Sequence, residues 1–139
     1  VFQIAEMAGY YRAQGIGLAE KLRELYDTYG YCLNTLHTKT FSGEAGQAAM
    51  ARVMATLRRM TAIGDYPILS RTDYRNGVDG LPKSDVLKLT LPVGTVVIRP
   101  SGTEPKLKLY LSVCAKDATE AERTENRLMK TLSEEIGIG

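Results

Sequence analysis

The chain has 139 residues, 44% of them hydrophobic, and its 18 Lys and Arg against 16 Asp and Glu leave a net charge of +2. That is about one domain's worth of chain, with enough apolar material for a single core and too much of it for a disordered tail. The near cancellation of charge excludes a strongly basic nucleic-acid arm or an acidic solvating segment, and no apolar run approaches the roughly 20 residues a membrane-spanning helix needs.

The chain opens Val1-Phe2-Gln3, with no start methionine and in mid-pattern, as expected of a piece of a longer protein. The basic-then-apolar order of a secretory signal is missing, so the expectation is a soluble, cytoplasmic protein. Ile4, Ala8 and Tyr11 recur at helical spacing until Gly15 and Gly17 interrupt it. Leu18, Leu22, Leu25, Tyr26 and Tyr29 then mark one stripe of a second helix, which Gly30 is placed to end. Such a pair has no second layer within its own length. Residues 1–30 are therefore expected to be the C-terminal helices of a preceding domain and a hinge, and residues 31–139 a domain of their own.

From Tyr31 to Thr40 the chain is rich in Thr, Tyr and other strand formers. Ser42 is expected to cap the next helix, with Ala49, Met50, Val53, Met54, Leu57 and Met60 facing a core and Arg58 and Arg59 in its last turn. Tyr66–Ser70 is predicted as a short strand followed by a polar loop through Asn76, Gly77, Val78, Asp79 and Gly80. Strands are predicted over Val86–Leu91, Thr95–Arg99 and Lys106–Val113, the last alternating strictly between aliphatic and polar residues, so one sheet face must be covered. Asp117 followed by Glu120 predicts a capped final helix, with Ala118, Ala121, Leu128, Met129, Leu132 and Ile136 as its stripe. The turns between the later strands are too short for parallel crossovers. The expected fold is thus α+β, a two-layer domain with a mainly antiparallel sheet of four to five strands and helices on one face.

Cys32 and Cys114 lack a C-x-x-C partner and are expected to be two buried free thiols. His37, the single histidine, is expected in a structural or surface role.

Arg99-Pro100-Ser101-Gly102-Thr103-Glu104-Pro105-Lys106 lies between the last two predicted strands and concentrates anion-binding groups. Arg99 offers a donor fork for two phosphate oxygens, Ser101 and Thr103 offer hydroxyls, and Gly102 lets backbone amides approach a ligand with no side chain between. Pro100 and Pro105 restrain the loop and Lys106 adds charge. From composition alone the same residues serve a plain hairpin turn as well as an anion.

The octapeptide as a whole closely resembles the phosphate-binding loop in the C-terminal domain of the α-D-phosphohexomutases, the phosphoglucomutase/phosphomannomutase family. Leu81–Lys88, Glu6-Met7-Ala8 and Leu22–Tyr26 also resemble the bacterial phosphoglucomutase branch. The resemblance implies a TATA-binding-protein-like fourth domain whose loop holds the phosphate of a hexose phosphate or hexose bisphosphate, through Arg99, Ser101, Gly102, Thr103 and Lys106. It further implies an intramolecular phosphotransferase that interconverts hexose 1-phosphate and hexose 6-phosphate through a bisphosphorylated intermediate. The family's phosphoserine, its Mg²⁺ loop and its sugar-selecting loop belong to the three other domains, and no stretch here matches the serine loop or the metal loop. Ser42-Gly43-Glu44 is better explained as a helix start than as the sugar loop. No catalytic and no metal-binding residue is therefore expected in this chain, whose partners would be the sugar phosphate and the other domains of the same enzyme, with neither nucleic acid nor membrane.

The alternative is a non-catalytic nucleic-acid module presenting Lys106, Lys108 and Tyr110 on one strand face. The net charge of +2 and the lack of a basic patch elsewhere argue against it.

Overall fold

Strict alternation makes Lys106–Ala115 the spine of the sheet: Leu107, Leu109, Leu111 and Val113 point to one face and are buried, while Lys108, Tyr110 and Cys114 point to the other and are exposed. The protein is described here by a computed structural model covering residues 2–78 and 80–137. Val1, Asp79, Ile138, Gly139 and the side chain of Tyr29 lie outside the described residues. In chain order the elements are α1 (Phe2–Ala13), α2 (Leu18–Tyr29), β1 (Tyr31–Thr40), α3 (Gly46–Arg59), β2 (Ala62–Ile63), β3 (Tyr66–Pro67), β4 (Ser70–Asp73), a short 3-10 turn (Tyr74–Asn76), β5 (Leu87–Leu91), β6 (Gly94–Pro100), β7 (Lys106–Ala115) and α4 (Ala118–Ile136).

Five strands form one antiparallel sheet in the order β1-β7-β6-β5-β4, and β2 pairs with β3 in a separate hairpin. Helices α3 and α4 cover one face, as the one-sided burial of the strands requires. Met50, Val53, Met54 and Leu57 of α3 and Ala121, Leu128, Leu132 and Ile136 of α4 close a single core over the leucines of β5 and β7 and over Val96 and Ile98 of β6. The expected α+β two-layer class is the one observed.

The capping of α4 follows its sequence: the Asp117 carboxylate accepts from the Glu120 N–H at 2.8 Å, and the Glu120 carboxylate reaches back to the Lys116 N–H at 3.3 Å. Its stripe holds one residue the apolar pattern passes over. Glu125 is 8% exposed at a core position between Ala121 and Leu128. Its Oε1 lies 2.6 Å from His37 Nε2 and accepts from the Thr35 hydroxyl at 3.1 Å, so the buried carboxylate is satisfied from β1. His37 is thus structural, tying β1 to α4.

Three expectations are corrected. Ser42 does not cap α3: the helix begins at Gly46 with Ala45 at its cap and no side-chain cap bond. The chain must first turn at Gly43, whose carbonyl accepts from the Gly46 N–H at 3.0 Å. The strand expected over Tyr66–Ser70 is split: Tyr66–Pro67 pairs with Ala62–Ile63, and Ser70–Asp73 is an edge strand of the main sheet. That edge strand carries no apolar alternation because its core-side positions are polar. The Arg71 guanidinium donates to the Met60 carbonyl, and Asp73 accepts from Arg58 Nε of α3 at 2.9 Å. Cys32 and Cys114 are neither buried nor free: both are exposed, and they form a disulfide across β1 and β7. Although 82 residues apart in sequence, they are brought opposite each other by the antiparallel register.

Burial alone would push the Asp73 carboxyl up, but hydrogen bonds from Arg75 and Arg58 more than offset this and hold it below the usual carboxylate range. A carboxylate depressed in the folded state stabilises above its unfolded pKa, and that contribution is lost as pH falls through the folded value. Asp73→Asn is therefore expected to flatten the loss of stability on acidification below about pH 4, read as the denaturant midpoint against pH. An identical acid limb in the two proteins counts against it.

Helices α1 and α2 carry no comparable core. No residue of α1 is buried among those described, and Phe2, Ile4, Leu22 and Leu25 are exposed at 86%, 63%, 48% and 42%. Tyr11 lies beside Lys21 of α2, whose ammonium is 5.3 Å from the ring centroid.

Candidate functional site

The β6–β7 hairpin carries Ser101–Pro105 beyond the end of its ladder, where Pro100 pairs with Leu107. The loop is closed by its own backbone: the Ser101 N–H donates to the Lys106 carbonyl at 2.8 Å, and the Lys106 N–H donates to the Glu104 carbonyl at 2.7 Å. Its rear is anchored on the start of α3. The Phe41 N–H donates to the Pro105 carbonyl at 2.8 Å, and a Cβ at Gly46 would stand 2.9 Å from the Phe41 oxygen and 3.1 Å from Pro105 Cβ. Only glycine allows that approach, and it sets the position of the loop over the sheet edge.

The front of the loop is open. Ser101 Oγ accepts from the Thr103 and Glu104 N–H groups at 3.4 Å each, and its own distance to Thr103 Oγ1 is 3.5 Å. These are long bonds, at the weak end of the range. Gly102 makes no hydrogen bond among the described residues, its φ is not positive, and a Cβ there would meet nothing within 4 Å. The fold itself therefore does not require a glycine at 102. Arg99 is exposed, and its guanidinium has no partner among the described residues. Lys106 Nζ lies 2.6 Å from the Glu104 carboxylate, which the Lys106 hydrogen bond and charge hold below its usual range.

The five sequence-predicted residues thus fall together on one loop and its two strand ends. Register adds a sixth: Lys108 stands directly across from Arg99 and is flanked on β1 by Thr38. With Lys106 two residues earlier on the same face, Arg99 and Lys108 make a patch of three cations beside the loop, with Glu104 the acidic group paired into it. The alternation of β7 was the signal for Lys108. A second gathering of arginines was not visible in sequence: Arg58, Arg59 and Arg75 line a cavity of about 490 Å³ with Asp85. There Asp73 and Asp85 hold Arg58, and Asp73 also holds Arg75. These carboxylates offset most of the cluster's charge, so it is not a basic patch.

Among the described residues no group of three or more His, Cys, Asp or Glu could hold a metal ion, and no helix is long and apolar enough to cross a membrane.

The family model described as phosphoglucomutase/phosphomannomutase, C-terminal domain, matches residues 42–130. A phosphoglucomutase of Staphylococcus epidermidis is 33% identical over 113 residues, covering 72% of this chain and 21% of that protein. One of Staphylococcus aureus is 29% identical over 141 aligned residues, covering 91% of this chain and 25% of that protein. Among solved structures, the open form of the Paramecium phosphoglucomutase pp63/parafusin matches with a TM-score of 0.55 at 14% identity, over 87% of this chain and 24% of that one. That likeness supports the fold. The chain spans about a fifth to a quarter of the length of these relatives, and the nucleic-acid alternative finds no support among them. With more than half of its residues inside the matched domain, the chain belongs to the phosphoglucomutase/phosphomannomutase family, as its C-terminal domain.

Proposed function

We propose that residues 31–139 are the substrate-phosphate-binding wall of a cytoplasmic phosphohexomutase, and that residues 1–30 are the last helices of the preceding domain and a hinge. The exposed apolar side chains of α1 and α2 support that division, since nothing among the described residues covers them. Arg99, the Gly102 amide and the hydroxyls of Ser101 and Thr103 hold the phosphate of a hexose phosphate that is not reacting, with Lys106 supplying charge. In the whole enzyme this grip would orient the sugar while phosphate moves between its 1- and 6-positions through a bisphosphorylated intermediate, using a phosphoserine and Mg²⁺ carried by other domains.

The observation that carries the reading is that the Arg99 guanidinium and the Gly102 amide, on one loop of a family member, have no partner among the described residues. A phosphomonoester carries about −1.5 to −2 charge at neutral pH and three acceptor oxygens, enough to engage all of these donors at once. A hinge at residues 29–31 would then close the domain over substrate and exclude water. Titrating the chain with glucose 1-phosphate should move the amide NMR signals of Arg99, Ser101, Gly102, Thr103, Glu104 and Lys106, weakly and without turnover. No change in that segment at millimolar ligand would sink the reading.

Gly102→Ala separates ligand access from folding. Because a Cβ at 102 meets open space, stability should stay within about 0.5 kcal/mol. Binding of the sugar phosphate should weaken several-fold, since the methyl group stands where the anion must approach the amide. Unchanged affinity by titration would mean that the 102 amide is not a ligand.

A further inference from the structure

Cys32 and Cys114 are directly opposed in the β1–β7 ladder. The Cys114 N–H points away from β1 and donates to the Val93 carbonyl at 2.9 Å. The cysteines therefore occupy a non-hydrogen-bonded pair, where facing Cα atoms come closest, and theirs are 4.1 Å apart. Both lie exposed on the sheet face opposite α3 and α4.

Two observations distinguish this bond from a staple that the fold depends on. The ladder it crosses already pairs ten residues on each strand, and the core lies on the other face of the sheet, so backbone pairing and packing can hold the folded sheet with the bond open. It also sits where the chain enters the domain. Cys32 is two residues past Gly30, whose φ of +87° only glycine adopts without strain and where a Cβ would stand 3.0 Å from the Ala115 oxygen. The Tyr26 ring of α2 packs edge-on to Tyr31 at 4.9 Å. The linkage between the N-terminal helices and the sheet runs through this short segment.

We propose that Cys32–Cys114 is a reversible redox tether that clamps the entry of β1 onto the end of β7 and is opened by a dithiol reductant. A thiolate of the reductant attacks one exposed sulfur, the Cys32–Cys114 bond breaks, and the other cysteine leaves as a thiolate. The reductant's second thiolate then displaces the first cysteine and closes the reductant's own disulfide. Two electrons pass to the cystine, and the two cysteine thiolates take up two protons from solvent. Exposure of both sulfurs provides the access this exchange needs. Once open, residues 31–33 can fray from β7 while the rest of the ladder stays paired, and α2 gains freedom relative to the sheet. This goes beyond the phosphate loop and holds whatever anion that loop takes.

The test uses the air-oxidised chain and dithiothreitol without denaturant. Mass spectrometry after thiol alkylation should count no free thiols before reduction, two after it, and none again after oxidised glutathione. Reduction should leave the far-ultraviolet circular dichroism unchanged. It should also raise hydrogen exchange of the Tyr31, Leu33 and Ala115 amides, which belong to the hydrogen-bonded pairs flanking the cysteines, about tenfold or more, with Leu107–Leu111 unaffected. A Cys32→Ser/Cys114→Ser variant should show the fast pattern without reductant. Two alkylatable thiols at the outset, resistance to the reductant, unfolding on reduction, or unchanged exchange at Tyr31 and Leu33 would each overturn the proposal.

Discussion

Arg99→Ala should lower the affinity of the chain for glucose 1-phosphate about 10- to 100-fold, the loss expected when a charge-assisted hydrogen-bonding partner worth about 1.5–3 kcal/mol is removed. The loss should be close to the full value because Arg99 has no competing carboxylate among the described residues. Folding should be untouched, since the side chain is exposed and its backbone pairing with Lys108 survives truncation. In a full-length enzyme carrying this domain, a comparable fall in kcat/KM should follow, with kcat falling too if the loop orients the bisphosphorylated intermediate. Calorimetric titration of the chain and steady-state kinetics of the enzyme check the two parts. Unchanged values in both would remove the loop from the mechanism. Arg99→Lys should recover only part of the loss, because an ammonium cannot meet two phosphate oxygens in one plane.

A second large effect lies at the other end of the same hairpin. Gly94 has φ +152°, and a Cβ there would lie 1.8 Å from the Ser112 carbonyl oxygen, a backbone atom that cannot move aside without breaking the β6–β7 ladder. Gly94→Ala is expected to destabilise the chain by about 3 kcal/mol or more, seen as a lower denaturant midpoint. Because β6 and β7 carry the loop, residual folded protein should also bind sugar phosphate less well. A variant as stable as the parent would show that the tight β5–β6 turn can relax.

How much could be read without the structure differs from element to element. Leu107, Leu109, Leu111 and Val113 repeat with the period of a strand buried on one face, and Asp117 with Glu120 forms a local cap; both depend on neighbours a few residues away. Strand β4 could not be read this way. Its inward residues Arg71 and Asp73 are satisfied by Met60 and Arg58, partners that only folding brings near. The buried Glu125 escaped for the same reason, since its acceptance into the core rests on His37 and Thr35, which lie about ninety residues upstream.

The candidate site follows the same division. Arg99, Ser101, Gly102, Thr103 and Lys106 are contiguous, so their grouping needed no fold, whereas Lys108 joined them through register and the Glu104–Lys106 contact through loop closure. By itself the amino-acid sequence determined what short-range physics controls: helix and strand periodicity, the α4 cap, the two-layer class, and the grouping of candidate anion-binding residues that are neighbours along the chain. Tertiary structure alone decided what depends on the order and register of the strands. Pairing β1 with β7 joined two cysteines 82 residues apart and moved them from an expected core to an exposed face, and pairing β6 with β7 set Arg99 across from Lys108 with no counter-charge among the described residues.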